Sequence, residues 1–190
     1  MNAIFRPAIV LFFLLTLICA LLYPYVVTVI GQFAFAHQVA GSMVIREGQV
    51  VGSSLIGQTF SSANYFWGRP SATSPMPNNA QASGGSNLGP DNPAKITSIS
   101  ARVKALQAID PGNTALIPID LVTTSASGLD PDISLAAAYY QASRIARERQ
   151  LPIERIHSLI AEQSKFPHLR FFGEPRVNVL LLNLALDELK

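Results

Sequence analysis

The residues able to do chemistry are few and scattered. The three histidines, His37, His157 and His168, stand far apart, and no two share the i, i+4 spacing that sets metal ligands on one helical face. The one cysteine, Cys19, lies inside an apolar run and offers no thiolate to a water-filled site. Serines are plentiful, but none sits in a Gly-x-Ser-x-Gly elbow. A Ser-His-Asp set can assemble from any sequence order, and nothing here positions one. Two stretches carry binding chemistry instead. In Ala82-Ser83-Gly84-Gly85-Ser86-Asn87-Leu88, two glycines stand beside hydroxyl and amide side chains. Such a run forms a backbone nest for an anion, a polar bed for a cation, or simply a tight turn. It lacks the Lys-Ser/Thr ending of a phosphate loop and no helix comes at once after it, which excludes that motif. Tyr65-Phe66-Trp67-Gly68-Arg69 is the aromatic peak. It reads as core plus one surface arginine, with Arg69 able to stack on a ring, or as a docking face for a partner.

These stretches are tethered by the segment that precedes them. Residues 8–30 carry no charge and are rich in Leu, Ile, Val and Phe. As a helix they span about 35 Å, enough for a hydrocarbon core of about 30 Å. Within lipid the backbone must satisfy its own hydrogen bonds, so the segment crosses as a helix. Pro24 is expected to kink it, and Tyr23, Tyr25, Phe33 and Phe35 supply rings suited to a headgroup layer. Arg6 precedes the run, and no Lys, Arg, Asp or Glu occurs after it until Arg46. By the positive-inside rule residues 1–7 are cytoplasmic and the bulk is outside. The rival reading is a cleaved signal peptide, with Ala34-Phe35-Ala36 as a small-x-small site. The run exceeds a signal core and the tripeptide lies well beyond it, which favours an anchor. Cys19 does not read as a lipoprotein site, because bulky Ile18 precedes it.

Residues 31–190 make one domain's worth of chain, long enough to bury a core. Only Arg6 among the basic residues precedes Gly31, leaving 13 Lys and Arg against 12 Asp and Glu. A net of +1 is no footprint for nucleic acid. With its cysteine in the span, the domain has no disulfide. Met43-Val44-Ile45 and Val50-Val51 flank a Glu47-Gly48 turn, a small hairpin. Residues 71–93, dense in Pro, Ser, Asn and Gly, form a long irregular loop, of a kind that is functional or disordered. Asn92-Pro93 opens a helix with Ile96, Ile99, Val103 and Leu106 on one stripe and Arg102 and Lys104 off it. Residues 116–124 read as a strand, with Pro118 arguing for an edge or an early position in it. Asp130 and Pro131 read as cap and first residue of a helix that buries Leu135, Ala138, Ala142 and Ile145. Arg144, Arg147 and Arg149 lie near its carboxyl end, where cations suit the dipole, and read as a solvated face or a binding patch. Pro152 starts a helix with Ile153, Ile156, Leu159 and Ile160 inward. Gly173-Glu174-Pro175 turns the chain, and Asn178 caps a final leucine-rich helix.

The order of several short motifs resembles one family. They are Leu55-Ile56-Gly57-Gln58 with Phe60; Tyr65-Phe66 with Arg69-Pro70-Ser71-Ala72; and Ala82-Ser83-Gly84-Gly85-Ser86-Asn87. They continue with Ser125-Ala126-Ser127-Gly128-Leu129-Asp130, then Val177-Asn178-Val179 with Leu182-Asn183-Leu184-Ala185-Leu186-Asp187. With the single span, this set resembles the C subunit of the bacterial Kdp potassium-transporting P-type ATPase complex, over nearly the whole chain. It departs after the span, where members often carry tryptophan and proline and this chain has Phe33-Ala34-Phe35.

The resemblance implies a non-catalytic subunit of an ATP-driven potassium uptake complex in the cell inner membrane. The implied partners are a channel-like potassium-binding subunit, a P-type ATP-hydrolysing subunit and a small membrane subunit. It also implies a catalytic chaperone that raises the pump subunit's ATP affinity, with ATP and potassium belonging to the complex and no cofactor held firmly by this chain. The topology places the domain opposite the nucleotide site and the chain has no nucleotide motif, so an assembly or coupling role fits better than an ATP pocket. The expected fold is α+β: one N-terminal transmembrane helix (8–30), then a single mixed α/β extracytoplasmic domain (31–190). Potassium prefers carbonyl and hydroxyl oxygens. Candidates for the interface or the ion entrance are therefore Gln58, Tyr65, Phe66, Arg69, Ser71, Ser83, Gly84, Gly85, Ser86, Asn87, Ser127 and Asp130, with Arg69 as anchor. The alternative is an independent membrane-anchored binding protein or hydrolase.

Overall fold

The computed structural model describes residues 2–167 and 173–189; His168 lies outside them. The chain divides into two units, Met1–Met43 and Val44–Lys190. In the first, helix α1 (Asn2–Leu17) passes through a π-helical turn (Ile18–Leu22) into α2 (Tyr23–Ala34), and a single turn, α3 (Ala36–Val39), comes next. Ile4–Ala34 is a continuous apolar stretch long enough to cross a membrane. It extends past the expected 8–30 at both ends, because Arg6 and Pro7 are tolerated in the first turns of a helix. The expected effect of Pro24 takes a definite form. Proline has no N–H to return to Ala20, and the wider π turn lies just before it, with the Tyr23 N–H donating to Ile18 O. Side chains from Ile4 to Ile30 are exposed throughout, an arrangement that suits lipid or partner helices around them.

The second unit opens with the expected hairpin, β1 (Met43–Arg46) and β2 (Gln49–Ser53). Glu47 and Gly48 both have positive φ, 52° and 78°, the requirement of the tight turn whose twist matches paired strands. After residues 54–92, which hold one 3-10 turn at Ala80–Ala82, comes α4 (Pro93–Ile109). Asn92 caps it as expected, accepting from the Ala94 N–H at 2.9 Å, with Pro93 in the first turn. Its apolar stripe is only partly used: Leu106 is buried, Ile99 and Val103 are half-buried, and Ile96 is 58% exposed. Arg102, expected off the packed face, turns toward it and donates to Leu121 O and Gly68 O.

The core lies under α5 (Leu135–Arg149), α6 (Ile153–Gln163) and α7 (Val179–Glu188). These helices pack with a three-stranded antiparallel sheet ordered β3 (Asp132–Ser134), β5 (Arg176–Asn178), β4 (Ser164–Lys165). Ile133 pairs with Val177, which also faces Ser164, and both Ile133 and Val177 point into the core. Ala138, Ala142 and Ile145 of α5 and Ile156 and Ile160 of α6 are fully buried, the periodicity predicted, while Leu135 and Ile153 pack at the margin.

Two boundaries differ from expectation. Residues 116–124 form no strand. Pro118 supplies no ladder donor, and the Leu121 and Val122 N–H groups close a 3-10 turn (Ile119–Leu121) on Pro118 O and Ile119 O. That turn carries Asp120 to the Ser134 N–H (2.8 Å) and hydroxyl (3.2 Å). Nor does Asp130 cap a helix. Three residues of strand intervene, and Ser134 is the cap of α5, accepting from the Ala137 N–H at 3.0 Å. Asp130 instead folds its own loop by accepting from the Asp132 N–H. Asn178 caps α7 as expected. Ser134 and Asn178 thus each end a strand and start a helix, and since the two neighbouring strands are antiparallel, α5 and α7 leave the same sheet from opposite ends of the pair. Ser134→Ala should cost about 1 kcal/mol, the usual worth of such a cap. Urea unfolding should show a lower midpoint at unchanged slope; an unmoved midpoint contradicts the assigned cap.

Candidate functional site

Residues 63–68 run between α5 and α7 with no helix or strand of their own. Phe66 is 0% exposed and Trp67 7%. A buried backbone without a ladder must find other partners, and here every carbonyl from 63 to 68 is met by a side chain. Asn183 of α7 accepts from the Phe66 N–H (2.8 Å) and returns its Nδ2 to Phe66 O (3.0 Å). Gln141 of α5 does the same for Trp67, at 2.8 and 3.1 Å. Arg144 donates to Ala63 O and to Tyr65 O, and also to Gln141 Oε1 at 2.8 Å. Arg149 donates to Asn64 O, and Arg102 of α4 to Gly68 O. The two amides imitate a strand on either side. Burial pushes the Arg144 guanidinium down to about 10, which still leaves it charged at neutral pH.

The aromatic rings are part of the same clamp. Trp67 has two cations against its ring, Arg102 at 4.8 Å and Arg144 at 5.7 Å, and its indole N–H donates to Ser62 O. Tyr65 has Arg149 at 4.8 Å over its ring and donates its hydroxyl to Asp187, which also pairs with Arg149 at 2.7 Å and Arg46 at 3.7 Å. The C-terminal arginines therefore part company. Arg147 is the solvated one, half exposed beside Asp110 and Glu148, whereas Arg144 is 1% exposed and Arg149 largely covered.

Beyond Gly68 the chain emerges into a cluster of polar loops. Arg69 pairs with Asp130 at 3.0 Å and donates to Thr124 O. The Ser71 hydroxyl donates to Gly128 O (2.6 Å) and accepts from the Asn78 N–H. The Gly57 N–H donates to Leu129 O, and Gln58 reaches Val51 O. The Gly84 N–H and the Ser83 hydroxyl both donate to Ser127 O, at 2.8 and 3.0 Å. Gly128, at φ 67°, lies where a Cβ would stand 2.5 Å from Gly84 O, and a Cβ on Gly85 would press on Ala126 O. The loops meet backbone against backbone, and only glycine permits that distance and that φ together.

Residues 5–188 match the family model described as KdpC, K+-transporting ATPase, c chain. The chain belongs to the KdpC family. It is 60% identical over 188 residues to the potassium-transporting ATPase KdpC subunit of Janthinobacterium sp. (strain Marseille), covering 99% of this chain and all of that protein. It is 63% identical over 188 residues to the protein of the same name from Herminiimonas arsenicoxydans, covering 99% of each, and 59% identical over 190 residues to that of Polaromonas naphthalenivorans, covering 100% and 97%.

In this KdpC-family chain Gln58, Arg69, Ser71, Ser83, Gly84, Gly85, Ser127 and Asp130 fall in one loop cluster. Ser86 and the exposed Asn87, at φ 52°, continue from it, and Ser86 lines a cavity of about 350 Å³ with Pro70, Ala94 and Thr123. Tyr65 and Phe66 belong instead to the clamp, Phe66 wholly inside the core. Gln141, Arg144, Arg102 and Asn183 escaped the sequence reading as clamp residues. Their signal is phase: Gln141 and Arg144 share a face with Ala137, Ala138 and Ile145, and Asn183 stands beside Leu182 and Leu186. Among the described residues no three His, Cys, Asp or Glu side chains gather as metal ligands. Asn183→Leu strips both partners from Phe66 and should cost about 2–4 kcal/mol, as an unsatisfied buried N–H and C=O do. Thermal unfolding of the variant checks this, and a loss under about 0.5 kcal/mol, the level of an ordinary surface change, contradicts the clamp.

Proposed function

We propose that this chain is the single-span accessory subunit of a potassium-transporting P-type ATPase in the inner membrane. The observation that carries the reading is the family match over residues 5–188 joined to a 31-residue apolar helix, Ile4–Ala34. Arg6 before that helix, and no charge after it until Arg46, support a cytoplasmic N-terminus and an extracytoplasmic domain. In this reading the helix packs among a channel-like potassium-binding subunit and a small membrane subunit, while a separate subunit hydrolyses ATP. The domain docks over the ion entrance through the loop cluster around Arg69, Ser71, Ser83 and Ser127. Its effect on the pump's ATP affinity is coupling through the assembly, since domain and nucleotide lie on opposite sides of the membrane. Potassium and ATP belong to the complex.

Co-purification in mild detergent from cells starved of potassium tests this. The full chain should bring down large membrane subunits. Arg69→Ala should weaken that recovery, or the apparent potassium affinity of transport, about tenfold, the scale of an interface anchor. Normal assembly and normal potassium affinity in both Arg69→Ala and Gln58→Ala refute the docking face. A monodisperse chain with turnover of its own establishes an independent binding protein or hydrolase instead.

A further inference from the structure

A cleft of about 180 Å³ opens between Gln58, Thr59, Arg69, Asn78 and Arg102. Arg69 and Arg102 both line it and, among the described residues, no Asp or Glu does. Arg69 has a counter-charge, Asp130 at 3.0 Å, and the two together also line a second cleft with Asp120 and Arg176. Arg102 has none among the described residues: its hydrogen bonds go to Leu121 O through Nε and Gly68 O through Nη2, both neutral carbonyls, and burial lowers its pKa. The Arg69 Nε is buried with no acceptor among the described residues. Two amides complete the lining. The Gln58 Nε2 donates one proton to Val51 O and the Asn78 Nδ2 one to Thr59 Oγ1; each NH₂ carries a second.

A half-buried cation held only by carbonyls lacks the charge-assisted partner that arginine's planar fork suits best. The walls carry positive charge in excess of negative, and the volume suits a group of a few heavy atoms. We propose that this cleft is a carboxylate site, in which Arg102 supplies the charge and the amides of Gln58 and Asn78 fix the orientation. Its occupant is a small free carboxylate or the side-chain carboxylate of an adjoining subunit. The site stands whether or not the docking face proposed above is correct, because it is formed within this chain alone.

Trp67 reports on it. It is the only tryptophan, and Arg102 lies 4.8 Å from its ring, so an anion drawing on that guanidinium alters the indole emission. The full chain in a non-ionic detergent is titrated with sodium acetate at fixed ionic strength, balanced with sodium chloride. The expected result is a saturable change in Trp67 emission that acetamide, the neutral isostere, does not produce. Arg102→Gln should weaken the apparent affinity at least about tenfold, the scale of one charged hydrogen bond. Absence of saturation, or an equal response to acetamide, overturns the site without recourse to any variant. The same titration on the purified assembly identifies the source: a response retained there means a free carboxylate, and one abolished there means that a neighbouring subunit's carboxylate already fills the cleft.

Discussion

Six consecutive carbonyls, those of residues 63–68, pass beside and through the core with no strand to receive them. Leaving a buried backbone group unpaired costs about 1–3 kcal/mol, and a domain of this size has a net stability of only about 5–15 kcal/mol. A few such orphans would unfold it. The polar residues among the apolar faces of α4, α5 and α7 answer that demand, and their positions derive from it. Gln141 and Asn183 each lie within two turns of a capped helix start, Ser134 and Asn178, on adjacent strands. The register of Asp132 with Asn178 sets the two helix origins, and so aims the two amides at successive residues, Phe66 and Trp67.

The clamp also fixes the segment beyond it. Gly68 leaves the core under Arg102, and Arg69 emerges one residue later into the loops. Those loops have no sheet or helix to order them. Ser71, Asn79, Ser83, Ser125 and Ser127 order them through short side-chain bonds to backbone, and glycine at 57, 85 and 128 lets the strands of loop close on one another. A rigid aromatic segment on one side and a mortised loop cluster on the other give Arg69 a defined address.

The sequence was legible where local chemistry decides. Asn92-Pro93, Pro152 and Asn178 each start a helix as their types require, and Glu47-Gly48 turns a hairpin because both residues adopt positive φ. The apolar span and the inward face of α6 are set by composition and period. It was misleading where a local signal met a tertiary demand. Residues 116–124 have strand-like composition, yet the chain needs Asp120 at the start of α5 and tightens into a turn to deliver it. Asp130-Pro131 imitates a helix start, but Asp130 is drawn to Arg69. Arg144 read as part of a solvated face or a binding patch, and Arg102 as off the packed stripe, because periodicity treats arginine as polar. The small side chains Ala137, Ala138 and Ala142 leave room for a long guanidinium to lie inward, and only the three-dimensional need for donors at 63–68 shows why it does.

Amide hydrogen exchange of the full chain in detergent measures that threaded backbone directly. The Phe66 and Trp67 N–H groups are predicted to exchange only through global unfolding, as slowly as the interior amides of α5. Exchange of these two amides at the rate of the exposed loop residues around Asn87 would contradict the clamp, since it would mean that Asn183 and Gln141 do not hold them.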